Sequence, residues 1–435
     1  MDYFERTIPK KDSLNKTIEE INTSLENFYK SDYSADKNIR LHSSTLGKDE
    51  LIAFNKAYLE GNITVGKYND QYEKMAGDYF MTNFAVTSNS GSSANLLAIS
   101  ALVQAGKLKR GDKVIVPALA WSTTIFPLVQ YGLIPVFVDI CKKDFNLSLT
   151  DVQSCLKEHD IKAIMVIHTY GNPVNLDFLV DFCISKNLIL IEDTCESMGA
   201  CWENKPIGGF GMVGSFSSYF SHHICTLEGG LTVTNDSELK NYMKSIRSHG
   251  WTRGIEFDSE KIENIEQLDP TFLFINVGYN LRLSDPQAAM GCIQLSKLDN
   301  FVESRSKNAE RFKLNIENSK ILSKAIISQN VHSKAKSSWF GFPILFNDLE
   351  RYQVNKIRQK LQKKGIESRP FLAGDFTQQP VNKRYDFINF NKSNIIKKFH
   401  DSSFALPCHQ NLTLDDIDFV TESIEEILNE TFESK

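Results

Sequence analysis

Two histidines stand side by side at His222 and His223, in a chain that holds nine. They lie in the stretch GSFSSYFSHHICTLEGG, residues 214–230, between a small-residue run carrying Phe216 and Phe220 and the turn Glu228-Gly229-Gly230. An imidazole with a pKa near neutrality is suited to proton transfer at physiological pH. A histidine that only hydrogen-bonds a loop is the competing reading. In an extended segment neighbouring side chains point to opposite sides, so one of the two, not both, would face a site. The glycine pair reads as a flexible turn into a second strand-like run, residues 231–234.

Three further groups could work with such a base. Ser90-Gly91-Ser92-Ser93-Ala94-Asn95 follows the apolar run FAVTSN and opens a helical pattern. A small-residue loop at a helix start presents unpaired N–H groups and the positive end of the helix dipole, which suits a phosphate; an ordinary serine N-cap would look the same. Trp121 follows the run VIVPA, where its ring could stack on a planar ligand or fill a core or interface. Asp193 ends the run LILIED, with Glu196 three residues on. A carboxylate held there could pair with a protonated ring nitrogen, as an electron-sink cofactor requires, or serve as a cap or ion-pair partner.

Something must bring these groups together. Between residues 84 and 236 the short apolar runs FAVTSN, KVIVPA, IPVFVDI, AIMVIHTY, LILIEDTC, GSFSSYF and LTVTND alternate with helix-length amphipathic stretches. That alternation predicts an α/β fold with a mostly parallel sheet covered on both faces. Ligands of such sheets collect beyond the carboxyl ends of the strands, which is where all four groups fall. Leu14, Ile18, Ile21 and Leu25 recur at helical spacing near the start, and a second helical pattern covers 48–60. A helix is expected to begin near Ser284 with Pro286 in its first turn. A long Lys-rich amphipathic stretch then leads to a smaller α+β unit with a strand at 338–346 and helices at 349–364 and 414–430. The expected division is an N-terminal helical extension (1–50), a large cofactor-binding domain (51–305) and a small C-terminal domain (306–435).

Composition narrows the partners. The chain of 435 residues carries 49 basic and 54 acidic residues without a basic block, which argues against nucleic acid or an anionic membrane. No apolar run reaches membrane-spanning length. The opening MDYFERTIPKKDSLNK lacks the apolar core and cleavage site of a signal peptide, so the cytoplasm is the expected compartment. The eight cysteines are irregularly spaced with no C-x-x-C pair, so no metal site is expected.

The four strand-end groups, taken in order, resemble the fold-type-I family of nucleotide-sugar aminotransferases that use pyridoxal phosphate (PLP). There a Lys lies five residues after a Ser and six before the Glu of a Glu-Gly-Gly turn; here that position is His222, between Ser217 and Glu228. IHTYGNP (167–173), RSHG (247–250), GYNLR (278–282), GIESRPF (365–371) and the run ALPCHQNLTLDDID also match, so the resemblance extends from about residue 50 to the end. Histidine in place of the Schiff-base Lys marks the sugar 3-dehydratases of this family, and SHHICTLEGG and RPFLAGDFTQQP are similar to that branch.

The resemblance implies an aspartate aminotransferase-like fold, with a large mixed, mostly parallel sheet domain and a small α+β domain. It implies PLP or its amine form PMP held non-covalently. Ser92 and Ser93 would hold the phosphate through backbone N–H groups, Ser217 through its hydroxyl, and Asn280 from the second subunit of a homodimer with shared active sites. Trp121 would stack on the ring, Asp193 would pair with its nitrogen, and Glu196 would lie beside it. His222 would be the catalytic base, and Arg253 and Arg369 would contact the sugar nucleotide. Glutamate would supply the amine, the substrate would be a 4-keto-6-deoxy sugar linked to GDP in preference to other nucleotides, and loss of its C3 hydroxyl would end in release of ammonia. Such a lyase belongs to dideoxysugar synthesis for O-antigen lipopolysaccharide. Relatives that need an iron–sulfur cluster and a reductase carry cluster cysteines after the segment that here reads RSHGWTRGIEFDSE, which contains none. A CDP-sugar dehydrase with a reductase partner and a PLP-binding pseudoenzyme are the alternatives.

Overall fold

Seven strands that run the same way, and one that opposes them, form the sheet on which the site is built. The computed structural model describes residues 11–30, 38–257 and 267–433. In chain order the strands are β1 (Phe84–Ser88), β2 (Lys113–Pro117), β3 (Ile134–Val138), β4 (Ile161–Ile167), β5 (Ile189–Asp193), β6 (Cys201–Trp202), β7 (Lys205–Pro206), β8 (Val213–Ser217) and β9 (Gly230–Thr234). They continue with β10 (Ile326–Ser328), β11 (Ala335–Lys336), β12 (Phe342–Phe346), β13 (Arg369–Pro370), β14 (Ile388–Phe390) and β15 (Ser403–Leu406).

The large sheet has the order β1-β9-β8-β5-β4-β2-β3-β14. Only β9 is antiparallel to its neighbours; the pairings from β8 through to β14 are parallel. The carboxyl ends of β1, β2, β5 and β8 therefore share one edge. Near-continuous apolar strands such as IKAIMVI in β4 fit burial on both faces. Leu97, Phe137 and Met165 pack on one side of the sheet, and Ile115, Ile164 and Trp202 on the other. Each such side chain contributes about 1.5–3 kcal/mol through burial.

A second sheet, ordered β10-β12-β15-β13, packs with the helices Arg351–Lys363 and Leu414–Glu433 around Phe312, Phe342, Phe404 and Ile424. The helix Asp285–Asn318 joins the two sheets, with Ser284 and Gln287 forming its capping box and Pro286 in its first turn. It runs without interruption across residue 305, and β14 returns to pair with β3, so the C-terminal third of the chain contributes to both sheets. The apolar spacing near the start corresponds to the helix Lys11–Lys30, and the pattern at 48–60 to the helix Lys48–Leu59.

Two local expectations need correction. The strand foreseen at 338–346 begins only at Phe342. Trp339 adopts a left-handed backbone conformation, and Ser338 and Phe340 donate their N–H groups to Gly171 and Tyr170, which draws this segment onto the edge of the large sheet. The run GSFSSYF leaves its strand at Ser217, so Phe216 is fully buried while Phe220 is substantially exposed.

Candidate active site

At the shared edge of β1, β2, β5 and β8 opens a cleft of about 450 Å³. Its walls include Ser92, Trp121, Asp193, Glu196, Ser217, His222 and Arg369, which are seven of the residues singled out by their position at strand ends or by motif. Sequence separations of up to 277 residues collapse here because parallel strands deliver their carboxyl ends to one place.

The Ser/Gly loop starts the helix Gly91–Gln104, and Ser90 is its N-cap. Ser90 Oγ accepts from Ser93 N at 3.0 Å, and the Ser93 hydroxyl donates to Asn89 Oδ1 at 2.6 Å. The N–H of Ser93 is thus engaged in the cap, and Ser93 does not border the cleft; Gly91 and Ser92 do. The loop is an N-cap, and its small residues at the helix start border the cleft. A β-carbon on Gly91 would fall 2.5 Å from Ser217 Cβ, so only glycine lets the loop approach β8 this closely.

Asp193 is buried and its carboxylate is fixed from three sides. Oδ2 accepts from Asn95 Nδ2 at 2.8 Å and from Thr124 Oγ1 at 2.7 Å, and Oδ1 accepts from Cys195 N at 3.1 Å. Asn95 in turn accepts a short bond from Ser215 Oγ. Asn95 and Thr124 had no assigned role in the sequence. The signal available was a buried asparagine in the otherwise apolar helix LLAISAL, and a threonine one turn after Trp121. Trp121 itself is half exposed as N-cap of the helix Ser122–Gln130.

Glu196 accepts from Tyr170 N at 3.4 Å. Burial pushes its carboxyl up to about 7; Arg369 opposes the shift and Asp193 adds to it. Arg369, on β13 of the small sheet, lies 6.0 Å from the centre of the Phe340 ring. Phe340 is a second wall that the sequence did not advertise, since it sits in a run that reads as plain strand.

His222 and His223 separate as expected, but on a turn rather than an extended segment: His222 N donates to Tyr219 O at 2.9 Å. His223 is fully buried and its Nε2 donates to Ser338 O at 3.0 Å, away from the cleft. His222 borders the cleft, and among the described residues its Nδ1 has no hydrogen-bond partner. Its ring is held by contacts with Phe340 at 5.0 Å and Tyr219 at 6.0 Å. Burial lowers its pKa to about 3, with Arg369 and Arg305 contributing, so the ring is neutral at physiological pH and carries a free lone pair.

The glycine turn after it is not flexible in the way the sequence implied. A β-carbon on Gly229 would strike Thr226 Oγ1 and Ser218 Oγ, and one on Gly230 would strike the carbonyl of Ser90. Gly229 lets the turn close on itself, and Gly230 lets it approach the Ser/Gly loop. Two other expected residues lie elsewhere. Asn280 is exposed, bridges to Ser248 and accepts from Arg282 Nε at 2.9 Å. Arg253 stacks over Trp251 at 5.5 Å in a separate surface hollow with Phe257 and Phe272.

The donor set fits a pyridoxal cofactor: a fixed carboxylate for a ring nitrogen, an exposed indole face, and serine hydroxyls at a helix start for a phosphate. Among the described residues no lysine lines the cleft. The model of the DegT/DnrJ/EryC1/StrS aminotransferase family matches residues 44–425. GDP-4-keto-6-deoxy-D-mannose 3-dehydratase of Yersinia pseudotuberculosis is 40% identical over 355 residues, covering 80% of this chain and 88% of the relative. The enzyme of that description from Escherichia coli is 36% identical over 390 residues, covering 88% and 99%. A solved structure of GDP-4-keto-6-deoxymannose-3-dehydratase with a trapped PLP-glutamate geminal diamine aligns with a TM-score of 0.79 at 35% identity, covering 89% of this chain and all of that one.

Proposed function

Because this chain belongs to the DegT/DnrJ/EryC1/StrS aminotransferase family, we propose that it is a PLP/PMP-dependent 3-dehydratase acting on a GDP-linked 4-keto-6-deoxy sugar. Glutamate is the source of the amine and of the two electrons and leaves as 2-oxoglutarate; the C3 hydroxyl departs as water, and hydrolysis of the amine gives ammonia and a 3-deoxy-4-keto sugar. One observation carries this reading beyond the family: the base that faces the cleft is the imidazole of His222, where an aminotransferase needs a lysine amine.

When bound, the cofactor supplies an amine that condenses with the C4 ketone and a ring that accepts electrons. The residues of this chain do the rest. Gly91 and Ser92 at the helix start and Ser217 at the end of β8 would bind the phosphate, with Ser93 supporting the loop through its cap. Asp193 would hold a proton on the ring nitrogen, kept in place by Asn95 and Thr124. Trp121 would cover one face of the ring. Neutral His222 would take up a proton at Nε2, and its imidazolium, destabilised by burial and by Arg369, would be a strong acid for protonating the departing C3 hydroxyl. Having no primary amine, His222 cannot recapture the cofactor covalently, which leaves the dehydrated sugar free to depart and lose ammonia.

Arg369 would bind the sugar nucleotide, and Glu196 would lie beside the ring. Asn280, outside its own cleft, would enter that of a second copy in a homodimer, and Arg253 would approach substrate the same way. Among the described residues no helix is long and apolar enough to cross a membrane, and the cytoplasm would be the compartment. The test is turnover with glutamate and no electron donor against GDP-, CDP- and dTDP-linked 4-keto-6-deoxy sugars. Ammonia release with the GDP sugar is expected; activity that appears only with a reductase would move the assignment to the CDP-sugar type, and no release from any of them would favour a pseudoenzyme.

A further inference from the structure

Residues 38–47 lie far from the cleft in sequence, yet they touch both of its sides. On the small-sheet side, Ile39 pairs in parallel with Ile366, Ile39 N donating to Gly365 O at 2.8 Å and Glu367 N to Ile39 O at 2.9 Å. Leu41 N donates to Glu367 Oε2 at 2.9 Å, two residues before Arg369. On the large-sheet side, the His42 ring meets the Phe220 ring edge-on at 4.7 Å, two residues before His222. Thr45 Oγ1 donates to Gln294 Oε1 at 2.6 Å, and the same oxygen accepts from Cys225 N at 2.8 Å, three residues after His222. Gln294 Nε2 closes the arrangement by donating to Thr45 O and Glu50 Oε1, each at 2.9 Å.

The segment therefore grips the catalytic turn at both ends and ties it to the strand that carries Arg369. The turn needs such a grip. Its base is closed by Ser218 and Thr226, whose hydroxyls lie 2.6 Å apart and whose backbones are bonded at 2.9 Å. Between those points His223 Nε2 is bonded to Ser338 O, but the His222 ring has no hydrogen bond at Nδ1 among the described residues and meets the rings of Phe340 and Tyr219. Its direction is thus inherited from the seating of the turn.

We propose that residues 38–47 are a strap that positions His222, with His42 and Thr45 as its positioning residues through Phe220 and through Gln294–Cys225. The role rests on the dehydratase reading above; the structural half of it does not. A displacement of about 1 Å at a reacting group can cost up to about 100-fold in rate, so partial release of one grip should cost on the order of 10-fold.

The experiment compares the full-length holoenzyme with His42→Ala, His42→Phe and Thr45→Val, reading kcat, KM, cofactor affinity and amide hydrogen exchange of residues 219–225. His42→Ala is expected to lower kcat about 10-fold, with cofactor affinity and KM little changed, and to speed exchange in 219–225. His42→Phe keeps the ring-edge contact and should restore both. Equal impairment by the Ala and Phe variants, or wild-type kcat and exchange in the Ala variant, overturns the role of His42. Should His42→Ala fail to fold, Thr45→Val decides: faster exchange at Cys225 with reduced kcat supports the strap, and no change in either overturns it. If the wild type turns over none of the sugars, the dehydratase reading fails, while the exchange data still judge whether the strap holds the turn.

Discussion

Replacing His222 by Lys should exchange dehydration for covalent capture of the cofactor. Burial holds the His222 pKa down to about 3 from an ordinary 6.5, with Arg369 and Arg305 adding to the effect. At about 1.4 kcal/mol for each factor of ten in proton affinity, the cleft disfavours a cation at this point by about 5 kcal/mol. The same environment lowers the pKa of an amine placed there and so favours its neutral form. A neutral, nucleophilic Lys at this position would be poised to bond the aldehyde of PLP. Borohydride reduction followed by intact-protein mass spectrometry reads the outcome: the variant should gain the mass of a pyridoxyl phosphate group and the wild type should not. Ammonia release from the GDP sugar and glutamate should fall by at least about 100-fold, the contribution of a positioned acid–base group. Covalent labelling of the wild type, or dehydration by the variant at the wild-type rate, would refute the assignment of His222. A variant that binds PLP yet stays unlabelled would show that position 222 does not face the cofactor.

Other substitutions probe the surroundings. Asp193→Asn removes the charge that Asn95 and Thr124 orient; a charge-assisted hydrogen bond of about 1.5–3 kcal/mol should be lost, weakening PLP binding by about 10- to 100-fold in an absorbance titration, and unchanged affinity would remove Asp193 from the ring. Gly229→Ala drives a methyl group into Thr226 and Ser218, an overpacking worth about 1–3 kcal/mol; a variant that melts with the wild type in urea would contradict the packing argument. Glu196 provides a pH test in the cofactor-free protein. Because burial raises its pKa to about 7 from 4.5, its contribution to stability is full below the unfolded value and is lost as pH rises through the folded one. Between about pH 5 and pH 8 the stability of Glu196→Gln relative to wild type should rise by about 2.5 kcal/mol, and a constant difference in urea melts would count against that burial.

The sheet was legible because its strands are short β-branched runs separated by helical periodicity, a pattern that parallel burial imposes on sequence. The strand-end groups were legible for a related reason: a ligand edge concentrates small, aromatic and acidic residues where apolar runs stop. Asp193 and Trp121 were read this way, and Ser217, His222 and Arg369 through the motifs around them; all five border the cleft. Phe340, Asn95 and Thr124 were not, because each lies in an element whose periodicity already explains it, and their role exists only in contact with another element. Nor does a sequence say whether a glycine pair bends freely or is squeezed: Gly229 and Gly230 look like a flexible turn until Thr226, Ser218 and Ser90 are set against them.

By itself, then, the order of residues determines the class of chemistry, because an imidazole standing where an amine is needed changes what the site can bond whatever surrounds it. Motif spacing points to His222 rather than His223, and the tertiary structure shows how the two side chains part and which of them borders the cleft. His222 and His223 are chemically identical and adjacent; Ser338 O accepts a buried hydrogen bond from Nε2 of His223, while His222 borders the cleft against Phe340. That choice is made by groups more than a hundred residues away, brought close by the second sheet and, on the reading given above, held there by the strap at residues 38–47.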